Sequence, residues 1–80
     1  MNRDEIIEQT RAALDAVGPQ FRFEIVGPGV RQDDTWWYVP VIAITAAGKE
    51  APYEPVVNIY ANIEERLQGA GVNVLFVPAA

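Results

Sequence analysis

The segment that most constrains this chain is the apolar stretch from Trp36 to Thr45, which opens with Trp36-Trp37-Tyr38. Its β-branched and aromatic content predicts a strand, and side chains along a strand point alternately to opposite faces. One row is Trp36, Tyr38, Pro40, Ile42 and Ile44; the other is Trp37, Val39, Val41 and Ala43. Both rows are apolar, so both faces of the sheet around this strand call for cover. A chain of 80 residues supplies enough helix to cover one face only. The other face is left to a partner chain, a ligand or water.

The flanking sequence supplies the helices. Asn2, with Glu5 three positions later, predicts a capping box, and Asp4 and Glu5 suit the positive end of a helix. Ile7, Thr10, Leu14 and Val17 recur at three and four residues, widened by Ile6 and Ala13, and give that helix one core-facing stripe. Gly18-Pro19 ends it. Phe21-Arg22-Phe23-Glu24-Ile25 alternates apolar and charged residues, as a half-buried strand does. Gly27-Pro28-Gly29 predicts a type II turn that runs into a polar loop over Val30 to Asp34. The second strand then spans Thr35 to Thr45, with Pro40 predicting a bulge or an unpaired position. After a loop from Ala46 to Ala51, a second helix starts between Pro52 and Pro55. It carries Val56, Tyr60, Ile63 and Leu67 on its apolar stripe, flanked by Val57 and Ile59, and turns Glu64 and Glu65 to water. Gly69 and Gly71 end it, and Val72 to Val77 reads as a third strand closed by Pro78.

The order αββαβ predicts one α+β domain over residues 1–80, a two-layer sandwich whose three-stranded mixed sheet carries both helices on one face. Strands one and two form an antiparallel hairpin, and the helical return makes strands two and three parallel. Strand two sits at the centre, because two-sided apolarity suits a middle strand and the charged alternation of strand one suits an edge. A split order, with strand one between the others, is the alternative.

Composition narrows the function classes. Six basic against eleven acidic residues give a net charge of −5, which disfavours a nucleic-acid backbone or an anionic membrane as partner. The chain has no cysteine and no histidine, so disulfides, thiol chemistry and the commonest general base and metal ligand are excluded. The opening residues are polar, and no apolar run approaches the roughly 18 residues of a membrane helix. A cytoplasmic location is the resulting expectation, with no cofactor, no metal and no catalytic residue assigned. Asp33-Asp34, joined by Glu24 or Glu50, are candidate ligands for a hard cation such as Mg²⁺, and adjacent loop carboxylates are more simply solvated turn formers. Lys49, the single lysine, follows Gly48 without the spacing of a phosphate-binding loop.

The αββαβ order, with an apolar strand leading through the Gly48-Lys49 loop into a helix, resembles the type II KH topology. That resemblance implies RNA binding. Ala47-Gly48-Lys49-Glu50 has no second glycine where that family carries Gly-x-x-Gly, so no KH functional residue is carried onto this chain.

The expected functional surface is the uncovered row of the central strand and its neighbour: Trp36, Tyr38, Ile42, Leu75 and Val77, with Val26 at its margin. The reading is a non-enzymatic interaction module, self-associating or bound to another protein. The alternative is a ligand-binding domain that stacks single-stranded nucleic acid or a sugar on Trp36 and Tyr38, or on Trp37 if the faces are reversed. Trp36 and Tyr38 stand about 6.6 to 6.8 Å apart along the strand, close enough for two rings to act together.

Overall fold

In a computed structural model that describes residues 1–79, the first helix begins where the capping residues require. The Asn2 side chain accepts from the Glu5 amide at 2.9 Å, and Glu5 accepts from the Asn2 amide at 3.0 Å. Both bonds satisfy donors that a helix start leaves without partners. Helix α1 (Arg3–Asp15) then buries Ile6, Thr10 and Leu14. The Thr10 hydroxyl is fully buried and donates to the Ile6 carbonyl at 2.7 Å, so its polarity is satisfied within the helix.

Helix α2 (Tyr53–Gly69) has Pro52 as its N-cap and Pro55 in its first turn, where a missing amide breaks no helical bond. Its far end is a Schellman motif. Gly71, at φ 88°, donates to the Gln68 carbonyl at 3.0 Å, and Val72 donates to the Leu67 carbonyl at 2.8 Å. Val72 and Leu67 also pack against the same core cluster, which fixes the angle at which the chain enters the next strand.

The sheet has four strands: β1 (Phe21–Ile25), β2 (Arg31–Asp33), β3 (Trp36–Thr45) and β4 (Val74–Pro78). β3 is central and pairs with all the others. β1 runs antiparallel along its C-terminal half, Phe21 opposite Thr45 and Ile25 opposite Val41. β2 runs antiparallel along its N-terminal half, Arg31 opposite Tyr38 and Asp33 opposite Trp36. β4 runs parallel along the other edge, Trp37 opposite Val74 and Val41 opposite Pro78. β1 and β2 thus lie end to end beside β3, separated by a 3-10 turn at Gly27–Gly29.

Pro40 sits at that separation. The Trp37 amide donates to the Asn73 carbonyl on the β4 side, so by alternation the backbone of even-numbered β3 residues faces β1 and β2. Pro40 has no amide to offer there; its carbonyl accepts from Val26 at 3.0 Å, after which the chain leaves β3 and Gly29 packs on the proline ring. The proline is tolerated mid-strand because the neighbouring chain departs at that residue.

The core lies on one face. Trp37, Val39, Val41 and Ala43 are buried under the helices, with Val74 of β4, Val56 and Ile63 of α2, and Ile6 and Leu14 of α1. Trp37 is 8% exposed.

Several expectations are corrected. The sheet has four strands rather than three, since Arg31–Asp33, within the expected loop, is a strand that makes a hairpin with β3. Its two connecting residues are Asp34 and Thr35, with Asp34 at φ 59°, a region that Asp tolerates better than most side chains. Val30 belongs to the core and not to a polar loop. Gly27–Gly29 forms a 3-10 turn, and Gly29 lacks the positive φ a type II turn requires. Val17, 36% exposed, lies beyond the end of α1 and leaves its stripe. The last strand starts at Val74, because the Val72 amide closes the turn out of α2, and Asn73 meets the sheet only through its carbonyl, which accepts from Trp37. Glu64 turns toward the sheet, where its carboxylate meets the backbone of β4.

Candidate functional site

The face of the sheet opposite the helices carries the even row of β3. Trp36, Tyr38, Pro40, Ile42 and Ile44 are half-buried there, alternating with the buried row. Register adds their neighbours. Leu75 lies opposite Tyr38 and Val77 opposite Pro40, both half-buried, on the β4 side. On the other side Arg31 and Asp33 lie opposite Tyr38 and Trp36, while Arg22 and Glu24 lie opposite Ile44 and Ile42. The five expected surface residues, Trp36, Tyr38, Ile42, Leu75 and Val77, are therefore brought together on one face. Trp37 is on the other.

This face is an apolar stripe with a charged margin. Arg22 and Glu24 form an exposed ion pair at 3.2 Å. The Arg31 guanidinium sits 5.0 Å from the centre of the Tyr38 ring, a cation–π distance. Tyr38 thus carries a stacked partner from its own chain.

A second feature lies between α2 and the end of the sheet. An open, mainly apolar cavity of about 420 Å³ is lined by residues that include Val41, Val56, Tyr60, Phe76 and Val77, with Glu50 and Glu64 contributing carboxylates. Tyr60 stands between Phe23 and Phe76, ring centres 6.0 and 5.1 Å away. Burial against these rings pushes its hydroxyl up from 10.0 to about 12.

The two outer edges of the sheet differ. Along β4, alternation from Asn73 turns the backbone of Val74, Phe76 and Pro78 outward. The Phe76 amide donates to Glu64 Oε2 at 2.8 Å, and the Val74 carbonyl accepts from Gln68 Nε2 at 3.3 Å. Pro78 has no amide. Two side chains one turn apart on α2 thus stand in for a further strand and close this edge. Helical periodicity alone sends Glu64 to water, and its acceptor role depends on a strand twelve residues away that no local signal reveals.

The other candidate groups are not gathered into a site. Asp33 and Asp34 lie at the β2–β3 hairpin, whereas Glu24 is opposite Ile42 and Glu50 opposite Ile44, roughly 20 Å along β3. No group of three acidic side chains able to hold a metal ion occurs among the described residues. Lys49 is in the loop after β3, where its carbonyl accepts from Thr45 at 2.7 Å. No helix among the described residues is long and apolar enough to cross a membrane. No protein-family model matches the chain, and neither a curated protein nor a solved structure matches it.

Proposed function

We propose that this chain is a non-enzymatic interaction module that self-associates through the open face of its sheet. The observation that carries the reading is the continuous stripe of Trp36, Tyr38, Ile42, Leu75 and Val77 on the face without helices. The stripe runs the length of β3, roughly 33 Å, and is widened by Leu75 and Val77 of β4 to roughly 10 Å, with charged residues along its other margin.

Charge supports a second copy as the occupant. The chain carries −5 overall, yet the charged margin of this face, Arg22, Arg31, Glu24 and Asp33, is balanced. The acidic excess lies elsewhere, so two such faces meet without net repulsion across the contact. Arg31 on the Tyr38 ring favours this reading over a stacking platform for bases or sugars, because that ring is already engaged.

Light scattering across a concentration series tests it, with tryptophan emission read on the same samples. The expected result is a mass that rises with concentration while emission shifts to shorter wavelength, and a Leu75→Glu variant, on β4 away from β1, that folds by circular dichroism but has a lower mass than wild type and shows no emission shift. A monomer at high micromolar concentration with a water-quenched tryptophan would overturn the reading. Titration with a single-stranded oligonucleotide and with a neutral sugar would then separate the remaining ligands by their salt dependence.

A further inference from the structure

The β1 edge is built differently from the β4 edge. The Val26 amide donates to the Pro40 carbonyl, so alternation turns the backbone of Arg22 and Glu24 toward β3 and that of Phe21, Phe23 and Ile25 away from it. Among the described residues no strand pairs on that outer side. The strand carries neither a proline nor an inward-pointing charge, and no α2-like pair of side chains among the described residues stands in for a neighbour. One edge of the sheet is closed by Glu64, Gln68 and Pro78, and the other presents the outward amides of Phe21, Phe23 and Ile25.

We infer that β1 docks antiparallel on β1 of a second copy, in the register that sets Phe23 opposite the partner's Phe23. This contact is separate from the open face and stands whether or not the faces meet. Three facts converge on it. The outward residues fall opposite one another in this register, Phe23 on Phe23 and Phe21 on Ile25, as hydrogen-bonded pairs of an antiparallel ladder. Their side chains lie on the helix-covered face, where Phe23 already packs with Tyr60, so the pairing extends an apolar layer. On the opposite face Arg22 falls beside the partner's Glu24, and Glu24 beside the partner's Arg22.

Charge also selects the register and the partner. Sliding by one pair in either direction sets Arg22 against Arg22 or Glu24 against Glu24, like charges directly opposite, which is destabilising. The sequence Phe-Arg-Phe-Glu-Ile is therefore complementary to itself in one antiparallel alignment. Arg22 and Glu24 are well exposed, with side chains at 70% and 52%, and so are available to a second chain.

Amide hydrogen exchange and two charge variants test the contact on the whole protein. The Phe23 and Ile25 amides are expected to exchange freely in dilute solution and about tenfold more slowly once the concentration is about ten times the dissociation constant. Arg22→Glu alone and Glu24→Arg alone are each expected to halve the particle mass relative to wild type, with unchanged circular dichroism. An equimolar mixture of the two variants is expected to restore it, because an edge bearing two carboxylates then meets an edge bearing two guanidinium groups. Loss and rescue of this kind does not arise from the ion pair within one chain. Leu75→Glu, which disrupts the open face on the β4 side of the sheet, leaves the Phe23 and Ile25 protection intact, so failure of one contact is distinguished from failure of the other. Exchange at Phe23 and Ile25 that ignores concentration, single variants that keep the wild-type mass, or a mixture that stays dissociated would each overturn the inference.

Discussion

Tyr60 is a titratable residue whose surroundings set its protonation. It sits in a cage of Phe23 and Phe76, and burial raises its hydroxyl from 10.0 to about 12. The folded chain thus holds a proton that the unfolded chain releases near pH 10. Between about pH 10 and about pH 12 the unfolded state binds fewer protons than the native state, so stability is fully present below pH 10 and falls as pH rises through that window. The expected outcome is a urea midpoint that drops across it, a drop reduced in Tyr60→Phe. Tyrosinate absorbance in the native protein is expected to show one of the three tyrosines titrating late, and late titration that persists in Tyr60→Phe would contradict the assignment. The sequence made Tyr60 legible as a stripe residue of α2, but its shift depends on Phe76 reaching it from another element. The parity of the two tryptophans was likewise open, since both rows of β3 are apolar. What settles it is the size of the rest of each row: Val39, Val41 and Ala43 let two helices approach, and Trp37 shares their face.

At the scale of elements, legibility followed local periodicity and stopped where an element exists through its neighbour. Both helices, the central placement of β3 and the parallel return to β4 rest on stripes, caps and alternation that the chain carries locally. Arg31-Gln32-Asp33 has no apolar alternation, and it is a strand because Trp36 to Tyr38 folds back on it through the Asp34–Thr35 connection. Glu64 belongs to the same class, a helix-surface residue whose partner is an edge amide. Removing its carboxylate leaves the Phe76 amide without its acceptor and reopens the β4 edge. Glu64→Ala is expected to cost about 1 to 2 kcal/mol of stability, read by urea denaturation, with faster exchange at the Phe76 amide and aggregation that rises with concentration. Glu64→Gln keeps an acceptor oxygen at the same reach and is expected to recover most of the loss. An Ala variant as stable as wild type, with Phe76 still protected, would show that the edge is satisfied some other way.

For the whole molecule, the proposed self-association assigns the buried row of β3 to folding and the open row to contact between copies. A domain of this size has a net stability of about 5 to 10 kcal/mol. Trp37 lies in the cluster with Ile6, Val30, Val39 and Val74, where both layers meet. Truncating such a side chain costs about 3 to 5 kcal/mol, so Trp37→Ala is expected to be largely unfolded or to melt far below wild type at every concentration. Trp36 sits two residues from Tyr38 at the end of the open stripe, opposite Asp33, on the face that carries no helix. Trp36→Ala is expected to change the dilute-solution melting temperature little and to weaken its dependence on protein concentration, because a contact between folded copies stabilises the native state only by mass action. Scanning calorimetry over a concentration series of the two variants reads both effects together. Equal destabilisation of both at low concentration would mean that the two faces serve one folding core, and the division between a structural tryptophan and an associating one would fail. Opposite behaviour would tie the adjacent aromatic pair to two functions, separated by the alternation of one strand.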